Sequence, residues 1–204
     1  MPYVEARGRR VFFVHIPKTG GQSVEAWLAG QGRLRFHSVG IPAPLKCTPQ
    51  HLRWLDVAEL FGAEAFDYAF AIVRNPFDRL ESEYRMVWLQ EKQGFFRAAP
   101  SFPLWLEQSL DAYVANPFHR DNHLRPSSAF LGRGVEVFRF EDGLAAAVDK
   151  VARATGFAPP AVLPHENASA GFGGEIRWEA PLVDRVAQLY EADLRRFGYQ
   201  PPEI

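Results

Sequence analysis

Hydrophobic positions along this 204-residue chain fall into two kinds of block. Short apolar runs bounded by polar residues mark buried strands, and apolar positions recurring every three to four residues mark helices. Val11-Phe-Phe-Val14 predicts the first strand. Gly20 to Ala29 predicts a helix with Val24, Trp27 and Leu28 on its apolar side and Gly30 as its stop. Residues 31–49 carry Gly32, Gly40, Pro42, Pro44 and Pro49 and read as irregular chain. Gln50 to Phe61 predicts a helix with Leu52, Leu55 and Leu60 inward. Tyr68-Ala-Phe-Ala-Ile-Val73 is continuously apolar, as a strand covered on both faces of a parallel sheet would be. Asn75-Pro-Phe-Asp78 then opens a helix. Asn75 suits the N-cap, Pro76 the first helical position and Asp78 the first turn. Phe77, Leu80, Tyr84, Val87 and Trp88 follow at helical spacing. Further along, the pattern predicts a helix over Leu104 to Val114 and a strand over Val135 to Phe140. A helix capped by Asp142 and ending at Gly156 follows, and a last helix runs from Pro181 to Phe197.

Strands alternating with helices predict an α/β fold, a central mainly parallel sheet flanked by helices, in one domain over residues 1–204. Ligands of such sheets bind beyond the carboxyl ends of strands. Lys18 and Arg74 both follow such ends, so the two positions share one crevice if their strands are neighbours.

Composition narrows the function classes. A formal charge of −1 speaks against a nucleic-acid partner, which calls for a basic excess. Cys47 is the single cysteine, which rules out an internal disulfide and a cysteine-built zinc site. No apolar run reaches the ~18 residues of a membrane span, and Met-Pro-Tyr-Val-Glu at the start lacks a signal-peptide core. The expectation is a soluble, cytoplasmic protein without a membrane span.

Two stretches carry chemistry. Pro17-Lys-Thr-Gly-Gly-Gln-Ser23 lies between the first strand and its helix. Glycines let backbone N–H groups approach an oxyanion, the helix start adds positive potential, and Lys18 adds a full charge. The Walker spacing is absent, because here the lysine precedes the glycines. The bland alternative is an ordinary strand-to-helix turn with a solvated lysine. In Val73-Arg-Asn-Pro-Phe-Asp-Arg-Leu-Glu-Ser-Glu-Tyr84, Arg74 ends the buried strand, where a guanidinium fork can grip a phosphate. Ser82 sits two turns into the next helix. Its bland alternative is a bond back to the Asp78 carbonyl, with Arg74 paired to a helix carboxylate.

Together these stretches resemble the paired signatures of the sulfotransferases that use 3′-phosphoadenylyl sulfate (PAPS). Phe13-Val-His-Ile-Pro-Lys-Thr-Gly-Gly21 and Val73-Arg-Asn-Pro-Phe-Asp-Arg79 are similar to the carbohydrate-directed branch in particular, as is the C-terminal Leu189-Tyr-Glu-Ala-Asp-Leu-Arg-Arg-Phe-Gly-Tyr199. His123-Leu-Arg-Pro-Ser127 resembles an acceptor-side segment of those enzymes and departs from their pattern after the proline. The resemblance implies a P-loop-NTPase-like sulfotransferase fold. It implies that Lys18 and the backbone of Thr19, Gly20, Gly21, Gln22 and Ser23 hold the 5′-phosphosulfate, with hydroxyls of Thr19 and Ser23 as donors. Arg74 and Ser82 would hold the 3′-phosphate. The loop Asn167 to Arg177 would fold over the nucleotide, Arg177 adding a charge. The cosubstrate would be PAPS and the product 3′,5′-adenosine bisphosphate (PAP), with no metal expected. The acceptor would be a hydroxyl, on a carbohydrate or glycolipid, and the enzyme a bacterial-type soluble member of the branch.

Transfer of a sulfuryl group to an alcohol requires a base for the alcohol proton, and a neutral imidazole suits that work near pH 7. His51 resembles the proposed base of uronyl-directed relatives, and His123 is the second candidate, binding acceptor together with Arg125. His15 reads as packed against the first strand and His37 as solvated; His119 and His165 have no distinguishing context. Two rival readings predict different behaviour: a magnesium-dependent kinase, and a nucleotide- or anion-binding module without catalysis.

Overall fold

The computed structural model describes residues 1–37, 40–93, 100–163 and 175–204, with the backbone alone at 89–93. The backbone forms two compact units: Met1–Arg74 with Ala129–Asn167, and Asn75–Ser128 with Ala168–Ile204.

The first unit holds the sheet. β1 (Tyr3–Ala6) and β2 (Arg9–Val14) form a hairpin whose loop is Arg7-Gly8. Both loop residues have positive φ, 52° and 74°, the twist that a two-residue hairpin needs. β3 (Arg33–Arg35) pairs antiparallel with β1, while β4 (Tyr68–Val73) and β5 (Val135–Arg139) extend β2 in parallel. The strand order is β3-β1-β2-β4-β5. The fold is therefore α/β with a mostly parallel centre, as the pattern predicted, and β1 and β3 are additions to it. Both are short and partly exposed, so no apolar run announced them.

Successive side chains of β2 serve opposite faces. Val11 and Phe13 join Phe70 and Ile72 of β4 beneath α1 (Gly21–Ala29) and α5 (Leu144–Thr155). Phe12 turns the other way onto Trp54 and Phe66, with ring centroids 5.3 and 4.6 Å away. Each fully buried phenylalanine here stabilises the unit by about 1.5–3 kcal/mol. That second face corrects the helix expected from Gln50. A 3₁₀ turn, Pro49–His51, comes first, and α2 begins only at Trp54 and ends at Phe61. Its buried residues are Trp54 and Val57, while Leu55 and Leu60 are exposed. The contact of Trp54 with Phe12 sets the rotation of the helix. The start of α5 is also corrected: Gly143 occupies the N-cap, and Asp142 lies in the preceding 3₁₀ turn.

The second unit is helical: α3 (Pro76–Gln93), α4 (Phe102–Ala115), α6 (Ala180–Leu189) and α7 (Glu191–Phe197). The Asn75 cap is present, its Oδ1 accepting from the N–H of Phe77 at 3.0 Å. Phe77, Leu80, Tyr84 and Val87 pack with Phe102, Trp105 and Val186 in one core. The single last helix expected from Pro181 to Phe197 is instead broken at Tyr190. Tyr190 is fully buried and its hydroxyl donates to the Leu124 carbonyl. Its φ of −106° and ψ of 20° turn α7 away from α6. Asp193 of α7, also fully buried, then accepts from the N–H groups of Ser127 and Ser128 at 2.6 and 2.8 Å.

Candidate active site

In the first unit β2 and β4 are neighbours, Val14 standing opposite Ala71, so the loops after both strands leave from one edge. The loop after β2 is tight. Lys18 has φ 68°, a left-handed conformation that costs a non-glycine residue about 1 kcal/mol and marks a loop held by its surroundings. Gly20, at φ 80°, is the N-cap of α1. A Cβ at Gly20 would lie 2.5 Å from Leu144, and one at Gly21 would lie 2.1 Å from Nε2 of His15. The chain can pass here only without side chains. In the first turn of α1 the N–H of Ser23 donates to the Gly20 carbonyl at 3.2 Å, while a helix start in general directs its first N–H groups outward, where an anion can meet them. Thr19 is buried, and its hydroxyl donates to the Ile16 carbonyl at 2.8 Å. That hydroxyl is turned into the loop, which leaves the backbone N–H as the group Thr19 offers a ligand. Ser23 is buried in the first turn and Gln22 is exposed.

Arg74 follows β4. Its guanidinium donates through Nη1 to the Lys18 carbonyl at 3.4 Å and stacks 4.6 Å above the Phe140 ring. The two stretches singled out in the sequence therefore meet, with an arginine plane pre-oriented beside the lysine loop.

Behind the loop lies a buried polar cluster. The Glu25 carboxylate on α1 accepts from Nδ1 of His15, from the Gln50 amide at 2.9 Å to each oxygen, and from Nδ1 of His37 at 2.7 Å. Burial alone would push the Glu25 carboxyl up. The bond and charge of His15, with the Gln50 amide and the charge of His37, outweigh it and bring the carboxyl down to about 2. The His51 ring meets the His15 ring edge to face, centroids 5.1 Å apart. His51 thus stands one imidazole away from Gly21 and is 7% exposed. His37, expected to be merely solvated, is tied to Glu25 although half its side chain is exposed.

The other candidates belong to the second unit. Ser82 is half-buried on α3. His123 donates through Nδ1 to the buried Glu83, 2.7 Å away. Arg125, expected on the acceptor, has Nε on Asn122 and Nη2 on the Pro117 carbonyl, both at 3.0 Å. Its guanidinium is thus engaged inside its own segment. Arg177 is exposed. Residues 167–174 of the expected covering loop, and His165, lie outside the described residues. Glu25, Gln50 and Glu83 were missed. Their one sequence signal was a polar residue at a helical position otherwise flanked by core residues, as Glu25 is between Val24 and Trp27.

A strand, a glycine loop with one cation and a helix start thus stand beside a parallel strand ending in arginine, in an α/β protein. The particular class follows from the whole chain. Residues 2–200 match the model of the sulfotransferase family, and the chain belongs to that family of PAPS-dependent transferases, which move sulfuryl groups. No curated protein and no solved structure matches it. Family membership implies a PAPS-type sulfate donor and a small-molecule acceptor. Among the described residues, no helix is long and apolar enough to cross a membrane.

Proposed function

We propose that this enzyme transfers the sulfuryl group of PAPS to a hydroxyl of a carbohydrate or glycolipid, by in-line displacement and without a metal. The observation supporting it most is the bond from Arg74 to the Lys18 carbonyl, which joins the two anion-binding stretches. Gly20 and Gly21 let the loop pass tightly between Leu144 and His15, which puts backbone and not side chains at the start of α1, the surface an anionic group favours. In this reading the first-turn N–H groups and Lys18 hold the 5′-phosphosulfate, and Arg74 and Ser82 hold the 3′-phosphate. PAPS supplies an activated sulfuryl group whose leaving group is a phosphate. Lys18 offers a fixed cation where negative charge grows on that leaving oxygen. A sulfuryl group carries less charge than a phosphoryl group, so one lysine and backbone dipoles can serve without a divalent ion. The acceptor proton goes to an imidazole, for which His51 and His123 are the candidates.

Thermal stabilisation by 3′,5′-adenosine bisphosphate in the presence of EDTA, compared with ATP and magnesium, tests the reading. A bisphosphate shift of several degrees is expected at about a hundredfold excess over Kd. A shift seen only with ATP and magnesium would favour the kinase. Sulfate transfer to a panel of sugars then separates an enzyme from a binding module and identifies the acceptor class.

A further inference from the structure

We propose that His15, held by Glu25, is the positioning residue of the donor loop: its ring sets where Gly21 and the start of α1 lie, and so how tightly that loop binds the anionic donor. This rests on the sulfuryl-transfer reading above. All the residues involved belong to the first unit.

Three segments distant in the chain converge on one carboxylate. His15 follows β2, His37 follows β3 and Gln50 lies in the 3₁₀ turn before α2, and all three donate to Glu25 on α1. Glu25 is 2% exposed. Burying a carboxylate is costly, and an apolar side chain of similar volume would often stabilise the fold as well. What the polar cluster adds is a set of directional bonds that fix the groups around it. The backbone bends to meet it. Phe36, just before His37, has φ 58°, a conformation that a bulky side chain rarely adopts. Its ring packs on Tyr3 and Phe61, centroids 5.6 and 5.8 Å away, and the left-handed turn brings His37 to Glu25.

The His15 ring is gripped from several directions. Nδ1 donates to Glu25. The ring stacks on Phe13, centroids 5.4 Å apart and planes 28° apart, and meets the His51 ring edge to face. Its far edge lies against Gly21, where a Cβ would overlap Nε2, Cδ2 and Cε1. Gly21 is the first residue of α1, so its backbone rests where the ring leaves room. The chain between the two is tied to itself: the Ile16 N–H donates to the Val14 carbonyl at 3.0 Å, and the Thr19 hydroxyl to the Ile16 carbonyl at 2.8 Å. A displaced ring therefore moves the loop as a piece, Lys18 included. A shift of about 1 Å in a group that positions a ligand can cost about 10²-fold.

The test uses the full chain, with Kd for the bisphosphate read by calorimetry in EDTA and stability read by urea unfolding. His15→Asn keeps an N–H at the Nδ1 position, and so the bond to Glu25, and deletes the part of the ring that reaches furthest over Gly21. It should unfold cooperatively, with a midpoint well above that of Glu25→Ala, while Kd rises between about 10- and 100-fold. Gly21→Ala should weaken binding similarly. Gly21 is helical, so an added methyl meets the ring and not a backbone restriction. In a His15→Ala background the same change meets no ring, so the double variant should bind within about twofold of His15→Ala alone. A purely structural His15 would lower the urea midpoints and leave Kd of the folded chain unmoved. An unchanged Kd in His15→Asn, or penalties that multiply in the double variant, overturns the proposal. Should the His15 variants fail to fold, Gly21→Ala decides: weakened binding supports the proposal and unaltered binding overturns it. A wild type that binds no bisphosphate overturns the sulfuryl-transfer reading and the proposal with it, whereas a wild type that binds it no more tightly than His15→Asn overturns the proposal alone.

Discussion

Among the described residues, each unit contains a buried carboxylate paired with a histidine, and the two pairs are built differently. Glu25 is surrounded by His15, Gln50 and His37, and the ring of His15 is itself closed in, 5% exposed against Gly21. Glu83 has His123 and Arg120, and His123 keeps an edge toward solvent from a strained turn. The first arrangement closes on itself and supports the loop in front of it. The second is less enclosed, the His123 side chain being 16% exposed. A buried histidine–carboxylate contact alone therefore does not mark a catalytic group, because the same pairing can enclose a ring or leave it partly exposed.

Removing one carboxylate tests that contrast most severely. Glu25→Ala should destabilise the chain by about 3–5 kcal/mol, because His15 and Gln50 are left buried without their partner; urea unfolding measures it. Acid should reveal the same pair. With its carboxyl near 2 rather than 4.5, Glu25 favours the folded chain when charged. That contribution, of the order of 3 kcal/mol, is complete above about pH 4.5 and is lost as the pH falls toward 2. Unfolding curves over this range should steepen in wild type and flatten in Glu25→Gln. Gly21→Ala pushes a methyl into the His15 ring and should cost about 1–3 kcal/mol. It should also weaken bisphosphate binding in calorimetry, and unaltered affinity would detach the cluster from the loop. The smallest effect falls on the other pair. His123→Ala should lower stability by only about 1 kcal/mol, because Glu83 keeps Arg120 and water can reach the vacated oxygen. A loss as large as that of Glu25→Ala would make both pairs structural.

Much of the candidate site was legible because it is local. The apolar runs Val11–Val14 and Tyr68–Val73 specify strands, and the residues that follow each strand sit at its end by chain continuity. The caps at Asn75 and Gly30 also follow from neighbouring residues. The errors fell where a distant partner decides. Leu55 and Leu60 look as apolar as Trp54 and Val57, and the Phe12 ring selects between the two faces of α2. Tyr190 looks like one more apolar position in a continuous helix until Leu124 claims its hydroxyl.

By itself, then, the sequence determined the kind of protein and the candidate loop: alternating strands and helices, Lys18 and the glycines between β2 and α1, and Arg74 after β4. These depend on periodicity and on residues adjacent in the chain. Tertiary structure alone decided that β2 and β4 are neighbours, so that Arg74 reaches the Lys18 carbonyl. It alone assigned Glu25 and Glu83 to their histidines, across 10 and 40 residues of chain. A side-chain bond over such a separation has no local signature, because the folded backbone, not the spacing, sets the distance.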